Sequence, residues 1–262
     1  MKREDFSWTK FSHENVTMIS RIEAIRKIID QEVGLEPCLP GIAEIEQRYD
    51  ALYHDYIDGK LKHRELYDLA SDLDMDIDTL YSKMRHEWIL ANESTFVALR
   101  KRAQNLTSFD EVQETFEKFA TDEAMLNLRV DLSEEQIDEE RQKIQEQLNA
   151  YRNMVFSYIL TTDEWNDDFV KNILDIIASD LVDPYTINMI VSAVSLSCSV
   201  SFDAPRLAVL MRLIKSDDST CSVRQRALVG FVFSAITNSG EKQKYWDSAA
   251  GLIMDDEFLA AW

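Results

Sequence analysis

Residues that break helices are scarce in this chain: its 262 residues include six glycines and four prolines, and two of the prolines, Pro37 and Pro40, stand together. Long stretches free of turn residues exclude a fold of many short hairpins and leave helices as the default. The few glycines are too scattered to cradle a phosphate, and no GxSxG elbow, HExxH or CxxC spacing occurs. The three cysteines, Cys38, Cys198 and Cys221, are odd in number, which suits reduced thiols rather than a disulfide framework. No apolar stretch has the length a bilayer needs, and the opening MKREDFSWTKFSHENVTM lacks the apolar core of a secretory signal. A cytoplasmic location is therefore expected, with the sequons at Asn15, Asn92 and Asn105 unglycosylated.

Basic residues are also in short supply. There are 28 against 48 acidic ones, a formal charge of −20, of which −13 falls in residues 1–152. Such a field repels phosphate, so neither nucleic acid nor an anionic membrane is expected as a partner; a protein, a peptide or a basic ligand fits it better. The same charge also serves plain solubility of a large helical surface. With 45% hydrophobic residues the chain has enough apolar mass for a sizeable core.

Apolar spacing predicts a helix from Asn15 to Val33, ended by Gly34, and a second from about Ile42 to Ile57, closed by Asp58-Gly59. Two more are expected at 63–73 and 77–103, joined by the stretch Asp72 to Asp78, with Asp76 or Asp78 as N-cap. Ser108 with Glu111, and Ser133 with Gln136, have the spacing of capping boxes for helices 109–121 and 134–159. Residues 1–12, with Phe6, Trp8 and Phe11, read as an arm.

The C-terminal part repeats. Segment 170–197 matches 207–234 at a constant offset of 37 residues: Val170, Leu174, Ile176, Ile177 and Ser179 correspond to Leu207, Met211, Leu213, Ile214 and Ser216, and Ala193, Val194 and Ser197 to Gly230, Phe231 and Ser234. A period of this size is the mark of stacked helical pairs. Helices are expected at about 165–179, 184–200, 204–215 and 221–237. Another is expected near 241–254, where Leu252, Ile253 and Asp256 follow Leu213, Ile214 and Asp217. The last residues, DEFLAAW, stop half a repeat in on apolar side chains, which predicts either a longer solenoid or a tail folded back as a cap.

Within that region, Asp218 followed by Ser222-Val-Arg-Gln-Arg-Ala-Leu-Val-Gly230 resembles the inner-helix signature of HEAT repeats, and Asp183-Pro184 is similar to the Asp-Pro that often opens such helices. Proline in the first turn loses no hydrogen bond, Asp accepts from free N–H groups, and Ala193, Ala227 and Gly230 allow close approach. The resemblance covers about 165–256, with a period shorter than the roughly 40 to 47 residues usual in the family. The arginine that pairs along many HEAT arrays would be Arg224; Ile187 stands in the earlier unit. The resemblance implies an extended concave surface for proteins or peptides, and no catalysis.

Three constellations invite other chemistry. Asp72, Asp74, Asp76 and Asp78 have the alternation of a calcium loop, but Ile77 stands where its glycine belongs and Lys83 where its glutamate belongs. Residues 66–85 have the spacing of a helix-turn-helix, which would make a DNA-binding regulator, yet the second helix opens on aspartates and offers only Lys83 and Arg85. Glu46, Asp50 and His54 share one helical face and could serve a metal-dependent enzyme or regulator; a solvated stripe gives the same spacing.

The reading that results is an all-α chain, with a helical N-terminal region over 1–160 and HEAT-like antiparallel helix pairs over 161–262. It is expected to be a non-catalytic scaffold or adaptor without cofactor. The expected partner contacts are the inner-helix residues Asn188, Ser192, Ser195, Arg224, Gln225 and Arg226. Arg224 and Arg226 are the sharpest among them, as cations in an acidic protein that can focus on a carboxylate or phosphate.

Overall fold

The computed structural model describes residues 17–60, 62–163, 165–201, 204–216 and 220–237, which contain ten α-helices and one short 3-10 turn, and no strand. The chain divides into two compact units after Glu93. The arm at 1–12, Asp217, Asp218, the helix at 241–254 and the apolar end at Trp262 lie outside the described residues.

The first unit is built from α1 (Met18–Gln31), α2 (Leu39–Ile57) and α3 (His63–Asn92). Thr17 caps α1 by accepting from the Ser20 N–H. Gly34 then turns the chain with φ of 91°, and a Cβ there would lie 2.3 Å from that of Ala91, so the corner needs glycine twice over. Ile22, Ile25, Ile29, Leu35, Cys38, Ile42, Ile45, Leu73, Ile77, Leu80 and Met84 form its core. The two helices expected at 63–73 and 77–103 are replaced by a different division: α3 runs unbroken through Asp72 to Asp78, and the break falls at Glu93. The aspartates do not cap a helix start. Asp74 and Asp78 pair with Arg21 of α1, and Asp76 with Arg48 of α2, so their charges bind neighbouring helices rather than free N–H groups. The turn that a helix-turn-helix requires is accordingly missing from 66–85.

The second unit holds α4 (Ser94–Ala103), α5 (Val112–Leu126), α6 (Glu134–Thr161), α7 (Asp167–Ala178), α8 (Pro184–Val200), α9 (Ala204–Lys215) and α10 (Cys221–Thr237). The last four match the expected repeat helices within two residues. Their starts are fixed locally: Asn166 accepts from the Phe169 N–H, and Asp183 accepts from the N–H groups of Tyr185 and Thr186 ahead of Pro184 in the first turn. The Ser133–Gln136 capping box forms. The one expected at Ser108 does not: its hydroxyl accepts from Asp110, and α5 starts three residues later than expected, at Val112.

Helix directions follow from the side-chain bonds between them. Asn172 reaches Asp110 and Ser179 reaches Glu117, both 62 residues apart, so α7 continues the direction of α5. Ser222 reaches Asn188 and Arg226 reaches Ser192, both 34 residues apart, so α10 continues that of α8. Phe116 packs edge-on against Tyr151 while Gln145 donates to Glu123, which sets α6 antiparallel to α5. α8 also packs on α6, and α9 on α7. The pair α5/α6 therefore precedes α7/α8 and α9/α10 in one row, and residues 109–161 share a core with 165–231.

Candidate functional site

The six residues expected to meet a partner lie along the seam of α8 and α10 or at its edge. Asn188 donates to the Pro184 carbonyl and accepts from Ser222 at 2.9 Å, while Ser192 accepts from Arg226 at 2.8 Å. Ser195 donates to Val191, and its Oγ would lie 2.0 Å from a Cβ on Gly230. Arg224 donates at 2.8 Å to the Ser216 carbonyl, just past the C-terminal end of α9, where a cation also meets the negative pole of the helix. Gln225 and Arg226 are exposed. Most of this polar set joins one helix to the next, and small side chains bring the backbones together.

Exposed apolar residues fill the adjoining surface of α10. Val229, Val232, Phe233 and Ile236 follow helical spacing, and Val229 is 68% exposed.

A second feature lies at the α5/α6 end of the row. Phe116, Phe119, Ala120 and Glu123 share one face of α5, and Gln145, Leu148 and Arg152 share one face of α6. Between these faces, closed by Leu181 and Asp183 from the connection into α8, is a cavity of about 270 Å³. Arg152 is only 8% exposed. It donates to Thr186 at 2.7 Å, Asn149 at 2.8 Å and Asp183 at 2.7 Å, and its guanidinium lies 5.1 Å from the centre of the Tyr185 ring. Burial raises the Asp183 carboxyl, but hydrogen bonds from Thr186 and Arg152 outweigh it and hold its pKa below the ordinary value. The sequence carries one sign of this site: Arg152 sits in the stripe Leu148, Tyr151, Val155, where a charge needs partners.

Arg206 is a second buried guanidinium among the described residues, 1% exposed. It donates to the Thr162 carbonyl at 2.8 Å and lies 4.8 Å from the Trp165 ring centre. Burial pulls its pKa down to about 10, and burial pushes the neighbouring Cys198 thiol up to about 11. Both are parts of the core. Cys38 is buried as well, and Cys221 is exposed.

The metal-ligand candidates do not converge. Both guanidinium nitrogens Nε and Nη2 of Arg26 hold Glu46, whereas Asp50 and His54 are exposed further along α2. Among the described residues no group of three or more His, Cys, Asp and Glu side chains stands close enough to hold a metal ion. No helix of the described residues is long and apolar enough to cross a membrane. Compared with family models, with curated proteins and with solved structures, the chain finds no match in any of the three.

Proposed function

We propose that this chain is a non-catalytic interaction scaffold: a HEAT-like array whose inner helices, α8 and α10, present a concave side to another protein. The observation that carries the reading is the repeated direction of the helices. α5 and α7 run one way in register, α8 and α10 likewise, and stacked pairs of this kind build extended surfaces from residues far apart in sequence. Two features support the inner side as the one used. Its rim carries Val229, Val232 and Ile236 in the open, and the net charge of −20 draws a basic partner while repelling phosphate polymers. The polar seam residues then act by fixing the spacing of α8 and α10, and Gln225 is left to face the partner.

Site-specific photo-crosslinking in the native cell tests this. A photoreactive amino acid at Gln225 or Val229 is expected to yield a discrete protein adduct, and the same group at exposed Lys171 on α7 none. Equal yields from both sides, or none from either, overturn the assignment.

A further inference from the structure

The cavity between α5 and α6 has a chemistry of its own. Its lining is mixed, with Phe116, Phe119, Ala120, Leu148 and Leu181 as the apolar part and Glu123, Gln145, Arg152 and Asp183 as the polar part. Its polar groups are unequally available. Both oxygens of Asp183 are taken, Oδ1 by the Tyr185 and Thr186 N–H groups and Oδ2 by the Thr186 hydroxyl and Arg152. Arg152 spends three of its donors inside the chain, so its charge is balanced before any ligand arrives. Glu123 differs: Oε2 accepts from Gln145 at 3.1 Å, and Oε1 has no donor among the described residues. The surroundings share its sign, with thirteen carboxylates against four basic side chains between residues 110 and 146.

We infer that this cavity receives the side chain of a lysine or arginine from a basic segment of a partner protein, its aliphatic stem against the phenyl rings and its cationic head on Glu123. The inference rests on the scaffold reading and names the chemistry of the partner. A long basic side chain matches the site because it is apolar along its length and charged at its end. Phe119 and Phe116 line the cavity as apolar surface for the aliphatic stem, and Gln145 holds the Glu123 carboxylate in place by a hydrogen bond. An anionic ligand meets Glu123 and the acidic field around it. A purely apolar ligand covers the Glu123 Oε1 with hydrocarbon and offers that oxygen no donor, which is unfavourable.

The test uses the full chain with N-acetyl-arginine methylamide, N-acetyl-lysine methylamide and the uncharged N-acetyl-norleucine methylamide as probes, followed by NMR shift mapping. The two basic probes are expected to shift Phe116, Phe119, Ala120, Glu123, Gln145 and Leu181, and to bind at least fivefold more tightly than norleucine. Glu123→Gln should weaken the basic probes by a similar factor without moving the norleucine affinity, and Ala120→Trp, which fills the cavity, should remove all three. Norleucine binding as well as arginine, basic probes indifferent to Glu123→Gln, or shifts lying elsewhere each overturn the inference. Crosslinks from Gln225 and Val229 do not depend on this cavity. If they persist while the probes fail, the scaffold stands and the pocket assignment falls. If they vanish while the probes bind as described, the scaffold reading is the one lost.

Discussion

Between α1, α2 and α3 the polar ties are ion pairs across helices: Arg21 with Asp74 and Asp78, Arg26 with Glu46, Arg48 with Asp76. Between α5 and α10 they are mostly hydrogen bonds with one neutral partner, such as Ser179 to Glu117, Ser222 to Asn188 and the Arg226 guanidinium to Ser192, and among the described residues the ion pair Arg152–Asp183 sits at a helix start. The second unit relies less on matched charges and more on close approach. Gly230 against Ser195 lets α8 and α10 approach to a distance at which Ser222 reaches Asn188 and Arg226 reaches Ser192.

The largest expected effect separates the units by one buried cation. Arg206→Ala removes the hydrogen bond to Thr162 and the contact over Trp165, and leaves a void in the core of α6 to α9. A loss of about 3 kcal/mol follows from an unmade buried hydrogen bond together with a cavity. Hydrogen exchange read peptide by peptide should show faster opening of 165–201 and unchanged protection of 17–60. Arg206→Lys should recover little of it, since an ammonium cannot lie flat on the indole. Equal loosening of both units would break the contrast.

The helices of 165–237 are legible because each carries both a period and a punctuation mark: Asp183-Pro184 opens α8 where expected, and the offset of 37 places α9 and α10. The earlier pair α5/α6 does not read as part of the same row. Its kinship is one of direction, seen in bonds such as Asp110–Asn172, and it shares little residue identity with the later pairs. The unbroken α3 is hidden by aspartates that spacing makes look like caps; only their partners on other helices, Arg21 and Arg48, show otherwise. The helix-to-helix bonds of the expected contact residues are hidden for a related reason. A serine on a helix has the same letter whether it faces water or, like Ser192 and Ser195, the next helix. The cavity is out of reach because three separate segments build it, and only Arg152 within an apolar stripe gives a hint.

Glycine sharpens the comparison at a smaller scale. A Cβ on Gly230 would lie 2.5 Å from the Ser195 Cβ, an atom tied to its backbone, so α8 and α10 must part. Gly230→Ala is therefore expected to destabilise the second unit by about 1–3 kcal/mol, the usual range for overpacking. Adding Ser195→Gly should restore most of this, because the nearest atom left to the new methyl group is backbone of residue 195 at 3.4 Å, an ordinary van der Waals separation. In the first unit a Cβ on Gly41 meets the Leu80 Cδ1 at 2.9 Å, the far end of a side chain that can turn away. Gly41→Ala should change stability by only a few tenths of a kcal/mol, with the helical preference of alanine offsetting the contact. Thermal unfolding of the two single variants and the double variant decides it. A Gly230→Ala protein as stable as the parent would mean that the seam is looser than these distances require.

The smallest effect is the response to salt, and it has the opposite address. Arg26–Glu46 and Arg48–Asp76 have side chains about a third or more exposed, so each contributes well under 1 kcal/mol and is screened by added ions. Arg21, 17% exposed between Asp74 and Asp78, is the better shielded cation in this set. Raising sodium chloride to about 1 M, where the screening length falls to roughly 3 Å, should accelerate opening of the first unit by a few-fold and leave the stacked helices almost unmoved. Two thiols report the difference in one sample: Cys38 is buried in the core of the first unit and Cys198 in that of the second. Pulsed alkylation should show Cys38 modified faster as salt rises, with Cys198 constant and exposed Cys221 modified at once in every condition. Cys198 responding as strongly as Cys38 would mean that ion pairs hold the second unit as they hold the first, and the distinction between a charged tie and a close seam would be lost.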